Sequence, residues 1–394
     1  MAAKHIVLGL CLLLSVSLIQ GKAYLHRPDF TKVIPNQYIV VFKEGATVQQ
    51  RNAHISSVSA HLLTTYDLPN FAGYAAKFGD DVLERVRASD IVAYVEADHI
   101  VQASQSCTQQ KQATWGIDRL DTADLDLQGT YTYSLTGSGV DAYIVDTGIY
   151  IEHEDFDGRA IWGENYAGDK QNTDCNGHGT HVAGTVGSTT YGVAKDVTLI
   201  AVKVLGCDGS GTNSGVISGV EWVAKQAASK KKPSVANMSL GGSASLALDT
   251  AINSVIDSGV TFVVAAGNDN ADACNYSPAR VEGAVTVGAT TNEDVRASFS
   301  NYGSCVDVFA PGQSITSTWI GSPSATATIS GTSMASPHTA GVVALLLEND
   351  PTATPAEIAA QIQDGATSDI LELSCRIIGT CKDSPNKLVF SPCK

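Results

Sequence analysis

Four polar side chains in separate segments of the chain have the chemistry of acyl transfer. Each stands next to an apolar run, and they are Asp146, His178, Asn268 and Ser333. A carboxylate can orient an imidazole, the imidazole can take the proton of a serine, and an amide can receive a negatively charged oxygen. If the fold brings these groups together, the chain has an activated serine nucleophile.

Each of these residues also has a simpler interpretation. Ser333, within GTSMASPHTAG at 331–341, has the composition of a helix N-cap. Asp146 and Asn268 each follow a β-branched run, where such residues commonly form turns or cap helices. Convergence of all four on one edge of a sheet is what favours catalysis.

The histidine lies in NGHGTHVAG, residues 176–184. Gly177 and Gly179 permit a sharp turn and close packing before an apolar helix, which would present His178 at the helix start. His181 is on the same helical face, so a pair of metal ligands is an alternative. Because the HExxH pattern of zinc peptidases is absent, we expect a structural role for His181.

Beyond about residue 105, short β-branched runs alternate with longer helical ones. The predicted strands are 140–145, 197–204, 235–240, 260–266 and 284–289, and the predicted helices are 214–226 and 246–257. This alternation predicts an α/β domain whose parallel sheet has helices on both faces. Functional residues of such sheets gather at the carboxyl ends of the strands.

The preceding segment predicts a small α+β unit of the ferredoxin-like, split-βαβ kind. Its predicted strands are 38–42, 71–78 and 91–95, and its predicted helices are 48–63 and 81–88. Residues 102–112 are polar and lack periodicity, which indicates a linker. We detect no internal repeats.

The amino terminus predicts export. An apolar run at 6–19 follows Lys4 and His5 and has the length of a signal-peptide core, with cleavage after Ala23 or, alternatively, Gly21. We therefore expect a secreted, extracellular monomer. The net charge of −15 argues against nucleic acid and anionic membranes as partners.

Of nine cysteines, Cys11 leaves with the signal. The remaining even number, in an oxidising compartment, favours disulfides. Bound zinc is an alternative with little support, because no CxxC pair occurs.

Three blocks in the order Asp, His, Ser resemble the signatures of the subtilisin-like serine peptidases. They are DTG at 146–148, HGTH at 178–181 and GTSMA at 331–335, with AAGN at 265–268 between the last two. NYSPA at 275–279 and SFSNYG at 298–303 resemble the proteinase K and aqualysin-like branch. The resemblance extends from about Thr114 to the end of the chain, and residues 38–101 resemble the inhibitory propeptide of that family.

This resemblance implies a secreted serine endopeptidase that matures itself from a zymogen. By the family's pattern Ser333 is the nucleophile, His178 the general base and Asp146 its orienting group, while Asn268 stabilises the oxyanion. The implied organisation is a signal peptide at 1–23, a propeptide at 24–105 and a peptidase domain at 106–394. The propeptide would act as an intramolecular inhibitor, and the mature chain would begin between residues 102 and 112.

Ser239, Leu240, Gly241 and Gly242 match the family's substrate-binding edge, along which a peptide adds as a strand. The specificity pocket is expected between this segment and Ala265, Ala266 and Gly267. These residues are small or uncharged, which favours apolar or aromatic side chains before the cut and broad specificity. Asp269 and Asp272 lie nearby in sequence, so a basic preference remains an alternative.

The resemblance also implies two disulfides, Cys175 with Cys207 and Cys274 with Cys305, and leaves the partners of Cys107, Cys375, Cys381 and Cys393 open. Catalysis by this family needs no cofactor, whereas structural calcium is implied. One proteinase K-like site would use carbonyls near Pro278 and Arg280. Its expected aspartate is replaced here by Thr291, and Asp294 is an alternative ligand, so no calcium ligand is assigned.

A second hypothesis is a secreted binding protein of the same fold that cuts itself once, retains its propeptide and degrades nothing else. It would carry specialised carboxyl-terminal binding domains, whereas only about 60 residues follow Ser333. A third hypothesis, an α/β-hydrolase esterase, requires a GxSxG elbow and the order Ser, Asp, His. Neither feature occurs at this site.

Overall fold

The computed structural model describes residues 22–26, 33–58, 60–100, 106–373 and 383–393. The chain divides into two compact units, Met1–Ser104 and Gln105–Lys394. Each unit has its own sheet and apolar core. The apolar run at 6–19, Cys375 and Cys381 lie outside the described residues. Among the helices that the structure describes, none combines the length and hydropathy needed to span a membrane.

The first unit is a five-stranded sheet with two helices. Its elements are β1 (Tyr24–His26), β2 (Val33–Phe42), α1 (Val48–Ser57), β3 (His61–Leu68), β4 (Phe71–Lys77), α2 (Asp80–Arg87) and β5 (Val92–His99). The strand order is β1-β5-β2-β4-β3, with β1 parallel to β5 and the other neighbours antiparallel. Buried Val40, Tyr74, Val86 and Val95 belong to its core. This is the predicted α+β architecture.

The predicted helix at 48–63 is wrong in its last turns. Helix α1 ends at Ser57, and β3 pairs with β4 across a turn at 69–70. The β-branched pair Thr64 and Thr65 suits a strand, and the hydrogen bonds to β4 decide the conformation. With β1, which was also not predicted, the unit has two more strands than the sequence indicated.

The second unit contains the large sheet. Its elements are β6 (Thr108–Lys111), α3 (Trp115–Asp118), β7 (Thr130–Tyr133), β8 (Asp141–Asp146), β9 (Ala160–Asn165), α4 (His178–Gly187), β10 (Thr198–Lys203), α5 (Asn213–Lys230), β11 (Ser234–Met238), β12 (Gly242–Ser243), α6 (Leu246–Ile256), β13 (Thr261–Ala265), β14 (Tyr276–Ser277), β15 (Val285–Thr290), β16 (Val308–Pro311), β17 (Ile315–Thr318), β18 (Thr326–Ile329), α7 (Thr332–Asn349), α8 (Pro355–Gly365), β19 (Thr367–Ser368) and β20 (Lys387–Leu388). The order of the nine-stranded sheet is β19-β20-β16-β15-β13-β11-β8-β10-β9. All neighbours are parallel except β19 and β20.

Helices cover both faces of this sheet, as predicted. Side chains of α4, α7 and α8 share one buried cluster with Ile144 of β8. Side chains of α5 and α6 share another with Val145, the next residue of the same strand. Alternate residues of a strand point to opposite faces, so each central strand is buried on both sides. Four strands of this sheet, β9, β16, β19 and β20, were not predicted.

The predicted linker at 102–112 is wrong for Thr108–Lys111. These residues form β6, which pairs antiparallel with β7. Its side chains are mostly exposed, so the strand lacks the apolar alternation that identifies half-buried strands. Just before it, Cys107 forms a disulfide with Cys393, a pairing that the sequence left open.

Two further disulfides join Cys175 to Cys207 and Cys274 to Cys305. The first links the segment before α4 to the segment after β10. Both pairings are those that the family resemblance implied.

Candidate active site

The four candidate residues lie at one edge of the large sheet. Strands β8, β11 and β13 are neighbours and run parallel, so their carboxyl ends lie side by side. Asp146 is the last residue of β8, Ser239 follows β11, and Asn268 follows β13. The start of α7 reaches the same edge, because Ser333 contacts Ser239 and Thr332 contacts Asn268.

Asp146 and His178 form a close pair. His178 Nδ1 lies 2.7 Å from Asp146 Oδ1, and this carboxylate is fully buried whereas the imidazole is 27% exposed. The Nδ1 proton is therefore donated to Asp146, which leaves Nε2 as the basic nitrogen. Burial lowers the pKa of His178, but the charge and hydrogen bond of Asp146, with a smaller contribution from the charge of Asp174, outweigh burial, so the pKa lies above its usual value.

Asp174, which the sequence analysis missed, holds the segment that presents this pair. Its buried carboxylate accepts hydrogen bonds from Thr147 Oγ1, from the N–H of Gly177, and from both the N–H and the hydroxyl of Thr180. One carboxylate thus joins the turn after β8 to the first turn of α4. An aspartate two residues before Asn176 is a common turn signal, which could have drawn attention to it.

The glycines beside His178 permit close approach, as expected. A Cβ atom on Gly179 would lie 2.1 Å from the carbonyl oxygen of Gly148. Gly177 has a φ of 106°, and a Cβ there would lie 2.4 Å from the ring of Trp319. Only glycine fits both positions. The close packing of the backbone at 177 and 179 against Trp319 and Gly148 brings His178 to Asp146.

Ser333 is not a helix N-cap. The N-cap of α7 is Gly331, whose φ of 163° is extended backbone, and Ser333 is the second residue of the helix. Gly331 offers no side-chain cap. The Thr332 N–H donates to Asn268 Oδ1 and the Met334 N–H to the Gly331 carbonyl, so among the described bonds of this turn the Ser333 N–H is the group left for an anion. The Ser333 hydroxyl donates to the Ser239 carbonyl at 3.2 Å. In the part of the chain that the structure describes, no hydrogen bond joins Ser333 Oγ to His178, and such bonds commonly tighten only when substrate binds.

Asn268 presents its amide nitrogen. Its Oδ1 accepts hydrogen bonds from the N–H of Thr332 at 2.8 Å and from the Thr332 hydroxyl at 2.9 Å. Because both bonds fix the oxygen, Nδ2 is the donor left for another group, and Asn268 is exposed. Thr332 was also missed by the sequence analysis.

His181 has the structural role that we expected. Its side chain is fully buried, and its Nε2 lies 3.0 Å from the carbonyl oxygen of Ile315. Burial lowers the pKa of His181 to about 4, so the ring is neutral at physiological pH. Asp169 lies close to Cys175 and Cys207, but the disulfide between these cysteines removes the thiolates that a metal would need.

The calcium site considered for the 278–294 region is not supported. Both carboxylate oxygens of Asp294 accept hydrogen bonds from Arg119, at 2.8 and 2.9 Å, and both side chains are buried. The Thr291 hydroxyl accepts from backbone N–H groups. Asp294 is therefore an ion-pair partner rather than a replacement for the missing aspartate.

A cavity of about 440 Å³ lies beside the pair of Asp146 and His178. The segment Ser239–Gly242 forms one wall, and apolar Leu205, Val216 and Leu248 also line the cavity. Ala265, Ala266 and Gly267 do not line it, and both alanines are buried. The cavity is thus distinct from the pocket expected between the two segments.

The arrangement is that of a serine hydrolase: a buried Asp–His pair, a serine at a helix start and an amide that can donate lie together at the ends of parallel strands. A model of the subtilase family matches residues 137–381, and a model of peptidase inhibitor I9 matches residues 37–104. The chain therefore belongs to the subtilase family. It is a serine endopeptidase with an I9 propeptide, made as a zymogen.

Several relatives share most of the chain. An extracellular serine proteinase of Thermus sp. (strain Rt41A) is 50% identical over 387 residues, covering 92% of this chain and 90% of the relative. Alkaline protease 2 of Aspergillus fumigatus is 46% identical, covering 81% and 73%. The crystal structure of a cold-adapted subtilisin-like serine proteinase has a TM-score of 0.67 and 50% identity, covering 72% of this chain and all of that one.

Proposed function

We propose that Ser333, His178, Asp146 and Asn268 perform peptide-bond hydrolysis in this enzyme. Ser333 Oγ attacks the substrate carbonyl carbon while its proton passes to His178 Nε2, and the imidazolium is stabilised by Asp146. The carbonyl oxygen becomes negative and accepts hydrogen bonds from Asn268 Nδ2 and the Ser333 N–H. The observation that carries this assignment is the 2.7 Å pair of Asp146 and His178 at the edge where α7 begins.

The remaining steps restore the serine. The tetrahedral intermediate collapses, the C–N bond breaks, and His178 gives its proton to the departing amine. A water molecule, deprotonated by His178, then attacks the acyl ester. The C–O bond breaks, His178 returns the proton to Ser333 Oγ, and the acid and free Ser333 are released.

The substrate is proposed to be an extended polypeptide bound along Ser239–Gly242. Gly241 and Gly242 are exposed, and the short sheet of β12 and β14 pairs Gly242 with Ser277 and Ser243 with Tyr276. A peptide that pairs with this backbone is held without regard to most of its side chains. The adjoining cavity is lined by polar side chains together with apolar Leu205, Val216 and Leu248. None of the described residues that line it is a carboxylate that would select a basic side chain. Broad endopeptidase activity is therefore expected.

The proposed maturation removes the first unit, and the Cys107–Cys393 disulfide restricts where the cut falls. A cut after Cys107 would leave the removed segment covalently attached through this bond. Release of the propeptide therefore requires a cut before Cys107, within 102–106 of the window predicted from the sequence. The boundary between the two compact units, after Ser104, supports this position.

The proposal includes secretion after removal of residues 1–23. Strand β1 begins at Tyr24, directly after the expected cut. The proposed partners of the enzyme are protein substrates and its own propeptide, and neither nucleic acid nor a membrane is among them. The mature enzyme is proposed to be a monomer. Structural calcium remains part of the proposal without assigned ligands.

Secreted wild-type protein and the Ser333→Ala variant test the proposal together. We expect wild type to lose its first 101 to 105 residues by mass spectrometry and to degrade casein, while the variant stays uncut and inactive. The smaller fragment should separate from wild type without reduction. A wild type that is cut but keeps its propeptide and spares casein would support the binding-protein alternative. Casein hydrolysis by Ser333→Ala would refute the assignment.

A further inference from the structure

The backbone carbonyl of Ser333 lacks its helical partner. It lies in the first turn of α7, four residues before Pro337, which is inside the helix. Proline has no N–H, and its ring crowds the carbonyl four residues earlier. This carbonyl needs a donor from outside the helix, and the Ser239 hydroxyl provides one at 2.8 Å.

Two further side chains determine the direction of that hydrogen bond. Asn237 Nδ2 donates to Ser239 Oγ at 2.9 Å, so the single hydroxyl proton of Ser239 is left for the Ser333 carbonyl. Ser336 Oγ donates to Asn237 Oδ1 at 2.7 Å, which fixes the orientation of the amide. Ser336, Asn237 and Ser239 form a one-way chain of donors, called here the relay, that ends on Ser333.

The relay is shielded from water. Ser336, Asn237 and Ser239 are 0%, 1% and 3% exposed. A buried donor or acceptor that loses its partner has no water to replace it, so the relay depends on all three of its residues. It connects β11 to α7 across 99 residues of sequence.

We propose that Asn237 and Ser336 are positioning residues for the acylation step, an inference that rests on the nucleophilic role proposed for Ser333. Through Ser239 they hold the peptide group of Ser333, and with it the direction of Oγ and of the N–H that faces the oxyanion. Ser239 also begins the substrate-binding segment. The relay therefore sets the distance between the nucleophile and the bound carbonyl.

Loss of the relay should displace the first turn of α7 without unfolding the helix. Apolar side chains from Met334 to Leu347 anchor α7 in the core of the second unit. The relay is needed only where Pro337 interrupts the helical hydrogen bonds. A displacement of about 1 Å at a nucleophile lowers turnover by up to about 100-fold.

Ser336→Ala tests the proposal, with Ser336→Thr as the variant that keeps the hydroxyl. Active enzyme is counted by fluorophosphonate titration, and kcat and KM are measured on a chromogenic peptide. We expect Ser336→Ala to lower kcat by about 10-fold to 100-fold with KM within about 2-fold, and Ser336→Thr to retain kcat within about 3-fold. Thr339→Val removes a buried hydroxyl that has no hydrogen-bond partner among the described residues, one turn further along α7, and should leave kcat unchanged.

A double-mutant cycle separates positioning from general destabilisation. If Ser336 acts through the Ser239 hydroxyl, adding Ser336→Ala to Ser239→Ala lowers kcat no further. If the reductions in kcat of the two single variants multiply in the double variant, or if Ser336→Ala keeps the wild-type kcat, the relay is refuted. In either case labelling of Ser333 by the fluorophosphonate shows that the proposed function still holds. An unlabelled Ser333 in wild type would instead refute the proposed function, and the relay with it.

Discussion

Replacing Asp146 with asparagine should lower the pKa of His178, from above its usual value to below it. The substitution keeps the shape of the side chain but removes a fully buried negative charge that lies 2.7 Å from Nδ1. With charge centres about 4 Å apart and an effective dielectric constant of about 20, this charge stabilises the imidazolium by about 4 kcal/mol. Burial, which lowers the pKa, still acts in the variant. The pKa should therefore move from above its usual value to below it.

Histidine-labelled protein and ¹⁵N NMR measure this shift directly. Both samples carry Ser333→Ala to prevent self-digestion, and His178→Gln identifies the signal. His338 is the internal control, because burial lowers its pKa to about 4 and neither Asp146 nor His178 contributes to that shift. A His178 that titrates at the same pH with and without Asp146→Asn would refute the reasoning. Because the base must be neutral, wild-type kcat/KM should fall as pH drops through the raised pKa.

Three further outcomes are expected. Asn268→Ala should lower kcat by about 10² to 10³ with little change in KM. This magnitude is that of the corresponding asparagine of subtilisin. An unchanged kcat in peptide assays would exclude Asn268 from the mechanism. Gly179→Ala should abolish self-cleavage, because its Cβ would meet the carbonyl of Gly148 at 2.1 Å; processing at the wild-type rate, read by electrophoresis, would contradict this. Replacing both Cys107 and Cys393 with serine should lower the free energy of unfolding by about 5 kcal/mol, since the disulfide spans 286 residues. Guanidinium unfolding of inhibited enzyme measures that loss, and an unchanged midpoint would show that the bond contributes no stability.

The site was predictable because its parts are local motifs. Asp146 ends a β-branched run and His178 lies between two glycines, and both features can be read within a few residues. A parallel sheet then places such ends at one edge. The order of its strands, which makes β8, β11 and β13 neighbours, was not predictable, because no local pattern encodes which strands pair.

What the sequence analysis missed depends on contacts between distant residues. Strand β3 contains the apolar pair Leu62 and Leu63, which resembles a helical face until β4 pairs with it. Ser336 and Asn237 are 99 residues apart, and each looks like an ordinary buried polar residue until they meet. Asp174 likewise acts through the segments that it joins.

The most direct test of the account is to locate the adduct of a fluorophosphonate on the secreted enzyme by peptide mapping. We predict a single adduct on Ser333 in wild type, none in Ser333→Ala, and much slower labelling in His178→Ala. An adduct on another residue, or equal labelling rates with and without His178, would contradict the assignment of Ser333 as a nucleophile activated by His178.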